Sequence, residues 1–352
     1  MSTMSQKTKQ GLYAFGRSEM IPAMPVPDRH EIVGQALATI AGATLPNPNP
    51  LATDMLRSDT SLAGVMAALG GDVKGAVTSP DLASAISEAL RHLSLEAIRT
   101  RDLSHRAICR MITLPNFKQQ IVPWPQPVTL AEVGEGEEIP TVTSGVSWEP
   151  TAQIKTFAGT LAFTREAVIN ADWPLLGTIA EELVDAAYRA EREAVFGLLT
   201  ANPALGDGVA WFDASRDNIA ATTGAPSVST LESAISSLRR LGENGVALGL
   251  RPAFVVVPDN LEVATSILME AGARLVFSAE RPALADPGLT NDWFVLPSPQ
   301  VRPVIGLAHL PRATEPVVDL RPKFSSDAIH IRCRHAFGVA PLSPFAVKVP
   351  GL

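Results

Sequence analysis

The densest group of potential metal ligands is the run His330-Ile331-Arg332-Cys333-Arg334-His335. Imidazole and thiolate side chains are typical zinc ligands, so this run is the first candidate for a metal site. The alternation from Ala328 to Arg334 predicts a β-strand, on which successive side chains face opposite ways. Cys333 and His335 would then share a face without His330, and two ligands beside arginines are too few for a metal. We therefore expect an ordinary strand here.

Carboxylates that could act as a general acid and base are concentrated in one predicted long helix. They are Glu181, Glu182, Asp185, Glu191 and Glu193. General acid–base catalysis needs fixed geometry inside a cleft, and the sequence indicates neither. We expect these side chains to form a solvated helix face, and Lys118 to be an ordinary surface lysine.

Sequence motifs of the common catalytic and cofactor sites are missing. The chain contains no phosphate-binding G-x-x-x-x-G-K-[ST], no G-x-G-x-x-G and no G-x-S-x-G nucleophile turn. It also lacks the zinc motif H-E-x-x-H and any C-x-x-C pair. The sequence therefore indicates none of these common catalytic, phosphate-binding or zinc sites.

Length and composition indicate a folded protein of one large domain or several smaller ones. The chain has 352 residues, of which 46% are hydrophobic and 18% charged. Its net charge of -7 argues against binding nucleic acid by bulk charge. Two cysteines cannot form a disulfide framework, which favours a reducing cytoplasm. The apolar runs are too short to span a membrane.

The first hundred residues predict short helices joined by linkers. Apolar spacing predicts a helix over His30 to Ala41, ended by Gly42, and another over Ser61 to Leu69. The proline-rich run from Leu45 to Pro50 separates them. A further helix should begin at Ser79-Pro80-Asp81, with Ser79 as its cap. These helices carry too few apolar residues for a stable core of their own.

Residues 111–165 predict a long two-stranded arm. Repeated prolines exclude long helices, and Val128 to Leu130 and Ile154 to Phe157 alternate like strands. Between Gln119 and Ile154 there is no lysine or arginine, so the tip should be acidic. Its five acids are Glu132, Glu135, Glu137, Glu138 and Glu149.

The residues that follow the arm show a stronger helical spacing of apolar side chains. Ala171 to Thr200 predicts the longest helix of the chain, with Asp172 as its cap. Helices and strands then alternate. The predicted helices are Ser229 to Leu241 and Leu261 to Ala271, the second capped by Asp259 or Asn260. The predicted strands are Phe254 to Pro258, Leu275 to Phe277, Trp293 to Leu296 and Ala328 to Arg334.

This order of elements resembles the major capsid proteins of tailed bacteriophages with the Hong Kong 97 fold. Particular runs also resemble that family: Thr78-Ser79-Pro80-Asp81-Leu82, Pro115-Asn116-Phe117-Lys118, Phe163-Thr164-Arg165-Glu166-Ala167-Val168-Ile169-Asn170, Leu198-Leu199-Thr200-Ala201-Asn202-Pro203 and Arg334-His335-Ala336-Phe337-Gly338-Val339-Ala340. The resemblance covers roughly residues 78–352. It is nearest to the Mu-like major head proteins, which are often fused to a prohead protease.

The resemblance implies an α+β fold and a division into named segments. These are a helical N-terminal extension (1–77), an N-arm (78–111), an extended β loop with its base (112–165), a peripheral domain with a long spine helix (166–222), an axial domain (223–320) and a return to the peripheral domain (321–352).

The function implied is that of a major capsid protein, which is not an enzyme and needs no cofactor or metal. Copies would assemble in the host cytoplasm into pentamers and hexamers of an icosahedral head, which encloses double-stranded DNA without sequence-specific binding. Portal, scaffold or decoration proteins would be further partners, and no membrane is involved. Two alternatives remain open: an encapsulin-like bacterial compartment shell, which shares the fold, and a soluble α/β enzyme with an unrecognised site.

Opposite charges predict where neighbouring copies meet. Residues 91–110 hold five arginines and two carboxylates, whereas the arm is acidic. We expect the arm to contact the basic segment of an adjacent copy, because complementary charge guides encounter and fixes register. The candidate interface residues are Arg99, Arg101, Arg106, Arg110, Lys118, Glu132, Glu135, Glu137 and Glu138.

Overall fold

The computed structural model of the chain describes residues 26–53, 80–123, 130, 132–133, 141, 149–164, 173–243, 246–289, 291–323 and 328–351. The chain divides into two compact units. Unit 1 consists of Met1–Asp102, Phe157–Tyr188 and Glu315–His335. Unit 2 consists of Leu103–Thr156, Arg189–Thr314 and Ala336–Leu352. Neither unit is therefore a continuous stretch of sequence.

Helices and strands both contribute to the described part of the chain, which confirms the predicted α+β class. The principal helices are α1 (Val26–Ile40), α2 (Pro80–Thr100), α3 (Ser104–Ala107), α4 (Trp173–Ala201), α5 (Val228–Arg240) and α6 (Glu262–Glu270). The strands are β1 (Cys109–Thr113), β2 (Gln120–Ile121), β3 (Thr151–Ala152), β4 (Lys155–Thr164), β5 (Gly242–Glu243), β6 (Val246–Ala247), β7 (Pro252–Pro258), β8 (Ala283–Asp286), β9 (Trp293–Pro297), β10 (Ile305–His309), β11 (Val317–Lys323), β12 (Ala328–Pro341) and β13 (Val347–Val349).

In unit 1 the N-terminal helices α1 and α2 pack against each other. The buried side chains include Ile32, Val33 and Leu37 of α1 and Ile86, Leu90 and Leu93 of α2. The two helices therefore share a buried apolar contact inside unit 1. The predicted helix over Ser61 to Leu69 lies outside the described residues.

Two of the sequence signals at the helix ends are confirmed, whereas α1 begins at Val26 before the predicted His30, and the predicted cap Ser79 lies outside the described residues. Gly42 follows α1 with φ at +105°, a left-handed conformation that glycine adopts without steric cost. Pro80 is the first residue of α2, where its missing N–H is not needed. Helix α2 also packs against β11, which pairs antiparallel with residues 328–334 of β12.

The predicted long helix is confirmed as α4, which has 29 residues. At 1.5 Å per residue it is about 43 Å long. Its residues 173–188 belong to unit 1 and residues 189–201 to unit 2. Among the described residues, none of the helices is both long enough and apolar enough to cross a membrane.

One sheet of unit 2 is centred on β10, a strand that the sequence patterns did not predict. Strand β1 runs parallel to β10, and residues 337–341 of β12 run antiparallel to it. All five residues of β10 are buried, so the strand lacks the alternation of a half-exposed strand. The core here includes Val195, Phe196, Leu199, Trp211, Phe294, Leu307 and Phe337.

Glycine is required in β12 where the chain passes another backbone segment. A Cβ atom at Gly338 would lie 2.1 Å from the carbonyl oxygen of Gln153, which is far inside contact distance. The glycine in the run Ala336-Phe337-Gly338 therefore permits close packing of strand on backbone.

The second sheet of unit 2 has the strand order β13-β9-β7-β8. Strand β7 runs parallel to β8, and β9 runs antiparallel to both β7 and β13. Trp293 is fully buried, and its indole N–H donates to the carbonyl of Gly224 at 2.9 Å. Helix α5 begins at Val228, one residue before the predicted start at Ser229. Ser227 caps it and forms a capping box with Thr230.

Two local predictions in unit 2 are wrong. Residues Ala273–Val276 form a 3-10 helix, although Leu275 to Phe277 was the expected strand. The Arg251 guanidinium donates to the carbonyls of Leu275, Val276 and Phe277, which stabilises this turn. Helix α6 also lacks the predicted Asp259 or Asn260 cap, because a 3-10 turn at Asp259–Leu261 precedes it.

The base of the predicted arm is a short antiparallel pair. Strand β2 pairs with β3, joining Gln120 to Ala152 and Ile121 to Thr151. The predicted strand at Val128 to Leu130 lies outside the described residues except for Leu130, which is 82% exposed. The two-stranded base agrees with the arm prediction.

Candidate functional site: the Glu191 cluster and the predicted interface residues

A fully buried carboxylate lies in the second half of α4, at Glu191. The Arg106 guanidinium on α3 binds both of its oxygens: Nε lies 2.5 Å from Oε1 and Nη2 lies 2.8 Å from Oε2. This paired geometry satisfies the charge of the carboxylate inside the protein. The predicted solvated position is therefore wrong for Glu191, although Glu181, Glu182 and Glu193 are exposed.

Two buried histidines complete what we call the Glu191 cluster: Glu191, His105, Arg106 and His309. His105 Nε2 lies 2.8 Å from Oε1 of Glu191, and His309 Nε2 lies 3.5 Å from Oε2. Arg106 also donates to the carbonyl of Thr314 at 3.1 Å. The cluster therefore fastens α3, α4 and β10 together within unit 2.

The Glu191 cluster has the contacts of a buried ion pair. Two described clefts, of about 400 Å³ and about 260 Å³, are not lined by any of its four residues. Both oxygens of Glu191 accept hydrogen bonds from the Arg106 guanidinium, so the carboxylate is occupied within the chain. Removing one partner of such a buried pair typically costs about 3–5 kcal/mol of stability.

The thiols are buried and held protonated. Burial raises the pKa of Cys109 well above its ordinary value, and the charge of Glu191 raises it further. Burial, with a smaller contribution from Asp319, raises the pKa of Cys333 to about 11. Since the thiolate is the nucleophile and metal ligand, neither cysteine is set up for such chemistry in the folded chain.

The histidine-cysteine run behaves as the strand pattern predicts. Cys333 and His335 are buried, whereas His330 is partly exposed. His335 packs edge-on against Tyr188, with ring centroids 5.9 Å apart. On β12, Arg332 lies opposite Asp319 and donates to its two oxygens at 2.9 and 2.7 Å.

The structure separates the four predicted interface arginines into two groups. Arg101 pairs with Asp185 at 2.6 Å, and Arg106 binds Glu191, so both have partners within the chain. Arg99 is exposed at the end of α2 and lines the 260 Å³ cleft. Arg110 is exposed on β1 and donates to the Gln300 side chain at 3.2 Å.

The predicted interface residues of the arm are only partly described. Lys118 and Glu132 are exposed. Glu135, Glu137 and Glu138 lie outside the described residues. Of the nine predicted interface residues, those that the structure describes as exposed are Arg99, Arg110, Lys118 and Glu132.

The family is shown by a sequence match that covers more than half of the chain. Residues 148–349 match the family model described as "Phage capsid protein". The chain belongs to this family. It is therefore a component of a phage capsid, and it assembles into capsid oligomers. The expected assignment to phage major capsid proteins is confirmed, and neither alternative class is favoured.

Solved structures similar to the capsid protein come from several phages. The structure titled "Mycobacterium phage Adephagia" has 13% identity and a TM-score of 0.47, covering 71% of this chain and 89% of that one. The capsid structure of the cyanophage P-SCSP1u has 11% identity and a TM-score of 0.45, covering 70% and 87%. The procapsid of bacteriophage JBD30 has 15% identity and a TM-score of 0.43, covering 78% and 76%. No curated protein matches the chain.

Sequence patterns missed the Glu191 cluster in the capsid protein, although one signal was present. Glu191 follows Ala187 by four residues and precedes Val195 by four, so it lies on the buried stripe of α4. An acid at an apolar position of a helix predicts a buried partner. That partner, Arg106, is 85 residues away in sequence, and no local pattern connects the two.

Proposed function

We propose that this capsid protein self-assembles into the pentamers and hexamers of an icosahedral phage head of the Hong Kong 97 type, which encloses double-stranded DNA. The observation that carries the proposal is the family match over residues 148–349. Assembly takes place in the host cytoplasm, with portal, scaffold or decoration proteins as further partners. The role is structural, without catalysis.

Within this proposal the segments take the roles that the resemblance assigns. Residues 78–111 are the N-arm, 112–165 the extended loop, 166–222 with 321–352 the peripheral domain, and 223–320 the axial domain. Exposed apolar side chains in the axial segment support contacts with other copies. Val263 and Ile267 of α6 are 71% and 62% exposed, and Leu275 is 83% exposed. Burying such side chains between copies would remove apolar surface from water.

Charged contacts between copies are proposed for the nine candidate interface residues in two different roles. Arg99, Arg110 and Lys118 would meet the acidic arm of a neighbour, which includes Glu132, Glu135, Glu137 and Glu138. Arg101 and Arg106 would act indirectly, because their carboxylate partners within the chain hold the basic segment in place.

The enclosed DNA would be confined by the shell. A net charge of -7 gives no bulk attraction for phosphate, so the shell has no electrostatic reason to bind DNA tightly. A closed protein shell is sufficient to confine the DNA. This is compatible with the acidic composition of the chain.

Electron microscopy of the purified chain tests the proposal. Expression in a bacterial cytoplasm followed by negative staining should show closed shells or rings of five and six copies. X-ray scattering at micromolar concentration should report large assemblies. A discrete compact monomer or dimer would contradict self-assembly and favour the enzyme alternative. Particles from infected cells should protect DNA from nuclease; consistently DNA-free shells would favour the bacterial compartment instead.

A further inference from the structure

A cleft of about 400 Å³ lies within unit 2, and we call it the β7–β9 cleft because its lining includes the start of β7 and the end of β9. Much of the lining is apolar. These apolar residues include Ala107, Leu250, Ala253, Phe254, Pro297 and Pro299. Pockets that bind ligands typically measure about 300–1,000 Å³ and combine an apolar lining with a few polar groups. The size and lining of the β7–β9 cleft are therefore those of a binding site.

The polar part of the lining is rich in hydrogen-bond donors. It consists of Arg251, Ser278, Ser298 and Gln300, and none of the described lining residues is an aspartate or glutamate. The Arg251 guanidinium is held in place, because its Nε and Nη2 atoms donate to the backbone carbonyls of residues 275–277 at 3.1 to 3.4 Å. Its Nη1 atom takes no part in these bonds. Arg251 is therefore a fixed positive charge with a donor group to spare.

Gln300 and Ser298 add two further donor groups. The Oε1 atom of Gln300 accepts from Arg110 at 3.2 Å, and its backbone N–H donates to the Ser298 hydroxyl at 3.3 Å. The Nε2 group of Gln300 lies outside both bonds. The Ser298 hydroxyl acts there as an acceptor, so it can still donate its own hydrogen.

The charge around the β7–β9 cleft is positive, although the chain has a net charge of -7. Arg251 supplies the charge of the described lining, and the bond from Arg110 to Gln300 brings a second guanidinium beside it. Donor groups with positive charge favour an anion, and a carboxylate can accept paired hydrogen bonds from an arginine. The apolar lining favours a ligand whose anionic group stands next to an apolar one.

We propose that the β7–β9 cleft is the docking site for an acidic peptide of a partner protein of the capsid, in which a glutamate or aspartate is adjacent to an apolar side chain. The carboxylate would accept hydrogen bonds from Arg251 and Gln300. The adjacent side chain would pack on Phe254 and Pro297. This inference rests on the proposed function and deepens it, because it assigns a site and a chemistry to one of the partner proteins proposed there.

Both parts of the lining favour an acidic peptide over nucleic acid. A DNA backbone carries charge but no apolar side chain that would fill the space beside Phe254. A peptide supplies both groups from neighbouring residues. Because Arg251 is already held by three backbone carbonyls, little side-chain freedom is lost when it binds a carboxylate.

Calorimetric titration of the full-length chain with synthetic peptides tests this site. The probe is a short peptide that contains Leu-Glu-Leu-Glu, and its matched control has glutamine in place of both glutamates. The chain should bind the acidic peptide at least fivefold more tightly than the control, both before assembly and in shells. Equal affinity for the two peptides would overturn the inference, as would equal displacement of the acidic peptide by a DNA oligonucleotide of the same charge.

Two variants locate the binding in the cleft. Ser298→Asp adds a competing carboxylate to the polar lining and should weaken binding of the acidic peptide at least tenfold. Ser266→Asp, at an exposed position of α6, is the matched control and should leave binding unchanged. Ala279→Trp fills the cleft and should weaken binding by a similar factor. Circular dichroism and thermal unfolding of all three variants should match those of the parent chain.

The remaining outcomes separate the β7–β9 cleft from the proposed function. Undiminished binding by folded Ser298→Asp and Ala279→Trp would overturn the cleft and leave the capsid function intact. Binding by the unassembled chain that is lost in shells would assign the cleft to a contact between copies and would also overturn the inference. If the parent chain forms no shells, the proposed function fails, while the comparison of Ser298→Asp with Ser266→Asp still decides whether the cleft binds an acidic peptide.

Discussion

Arg106 and Glu191 form a bidentate ion pair inside unit 2, although 85 residues separate them in sequence. The pair joins the short helix α3 to the long helix α4. Because Glu191 is fully buried and Arg106 is largely buried, water screens their interaction poorly. A single substitution in this pair should therefore lower the folding stability of unit 2.

Glu191→Gln should destabilise the chain by about 3–5 kcal/mol, because it leaves the Arg106 guanidinium without a charged partner in the interior. Chemical denaturation followed by circular dichroism measures the loss. Glu193→Gln, at an exposed position on the same helix, is the control and should change stability by less than about 0.5 kcal/mol.

The double variant Glu191→Gln with Arg106→Met separates lost attraction from an orphaned charge. Removing the buried guanidinium should recover part of the stability that Glu191→Gln loses. Equal stability of Glu191→Gln and Glu193→Gln would show that the Glu191 cluster is not structural.

Both thiols should resist modification in the folded chain. At pH 8 a disulfide reagent should label neither Cys109 nor Cys333 within minutes, since the pKa of Cys333 is raised to about 11 and that of Cys109 is raised as well. In denaturant both should react fully. Rapid labelling of the folded chain would contradict the burial of these side chains.

The same raised pKa values predict how stability depends on alkaline pH. The unfolded chain loses its thiol protons near the ordinary pKa of 9.0, whereas folded Cys333 keeps its proton until about 11. The folded state therefore binds more protons in this window, and stability should fall as the pH rises from 9 to 11. Cys333→Ser should lessen that fall when unfolding is measured across the range.

Removing residues 1–77 should destabilise unit 1. Helix α1 packs against α2, whose buried side chains include Ile86, Leu90 and Leu93, so the shortened chain would expose part of this apolar surface. Burying each such side chain contributes about 1.5–3 kcal/mol. We expect a lower thermal midpoint and increased fluorescence of a hydrophobic dye. An unchanged midpoint without added dye binding would show that the α1 contact is dispensable.

Sequence patterns predicted the elements whose periodicity is local and strong. Helix α4 and strand β9 were predicted within a few residues, because an apolar stripe or a short aromatic run marks each one. Strand β10 was missed because it is buried on both faces and includes Gly306 and His309, which weaken a strand signal. Strand β10 pairs in parallel with β1, which lies almost two hundred positions earlier in the sequence, so no local sequence pattern could predict this pairing.

The candidate interface shows a similar limit. Net charge identified the basic segment of residues 91–110, but it did not distinguish free arginines from paired ones. Arg101 and Arg106 meet Asp185 and Glu191, which tertiary folding brings to them. Composition therefore located the segment, while only the structure shows which of its charges remain exposed.

Reversing a charge in the acidic arm should weaken assembly. Glu135→Lys should lower shell yield relative to Glu232→Lys, a matched change at an exposed position of α5. Each exposed pair contributes only ~0–1 kcal/mol, but a shell repeats the contact in every copy. Light scattering across a salt series measures the effect, which should vanish near 1 M salt, where the Debye length is ~3 Å.

The choice of compensating variant makes this test specific. Arg99→Glu should partly restore the assembly of Glu135→Lys, because Arg99 is exposed and available to a neighbouring arm. Arg101→Glu should not, since it places a second carboxylate beside Asp185 within unit 1. If both arginine variants restore assembly equally, the contact depends on net charge alone. Normal assembly of Glu135→Lys at every salt concentration would rule out the docking of the arm on the basic segment.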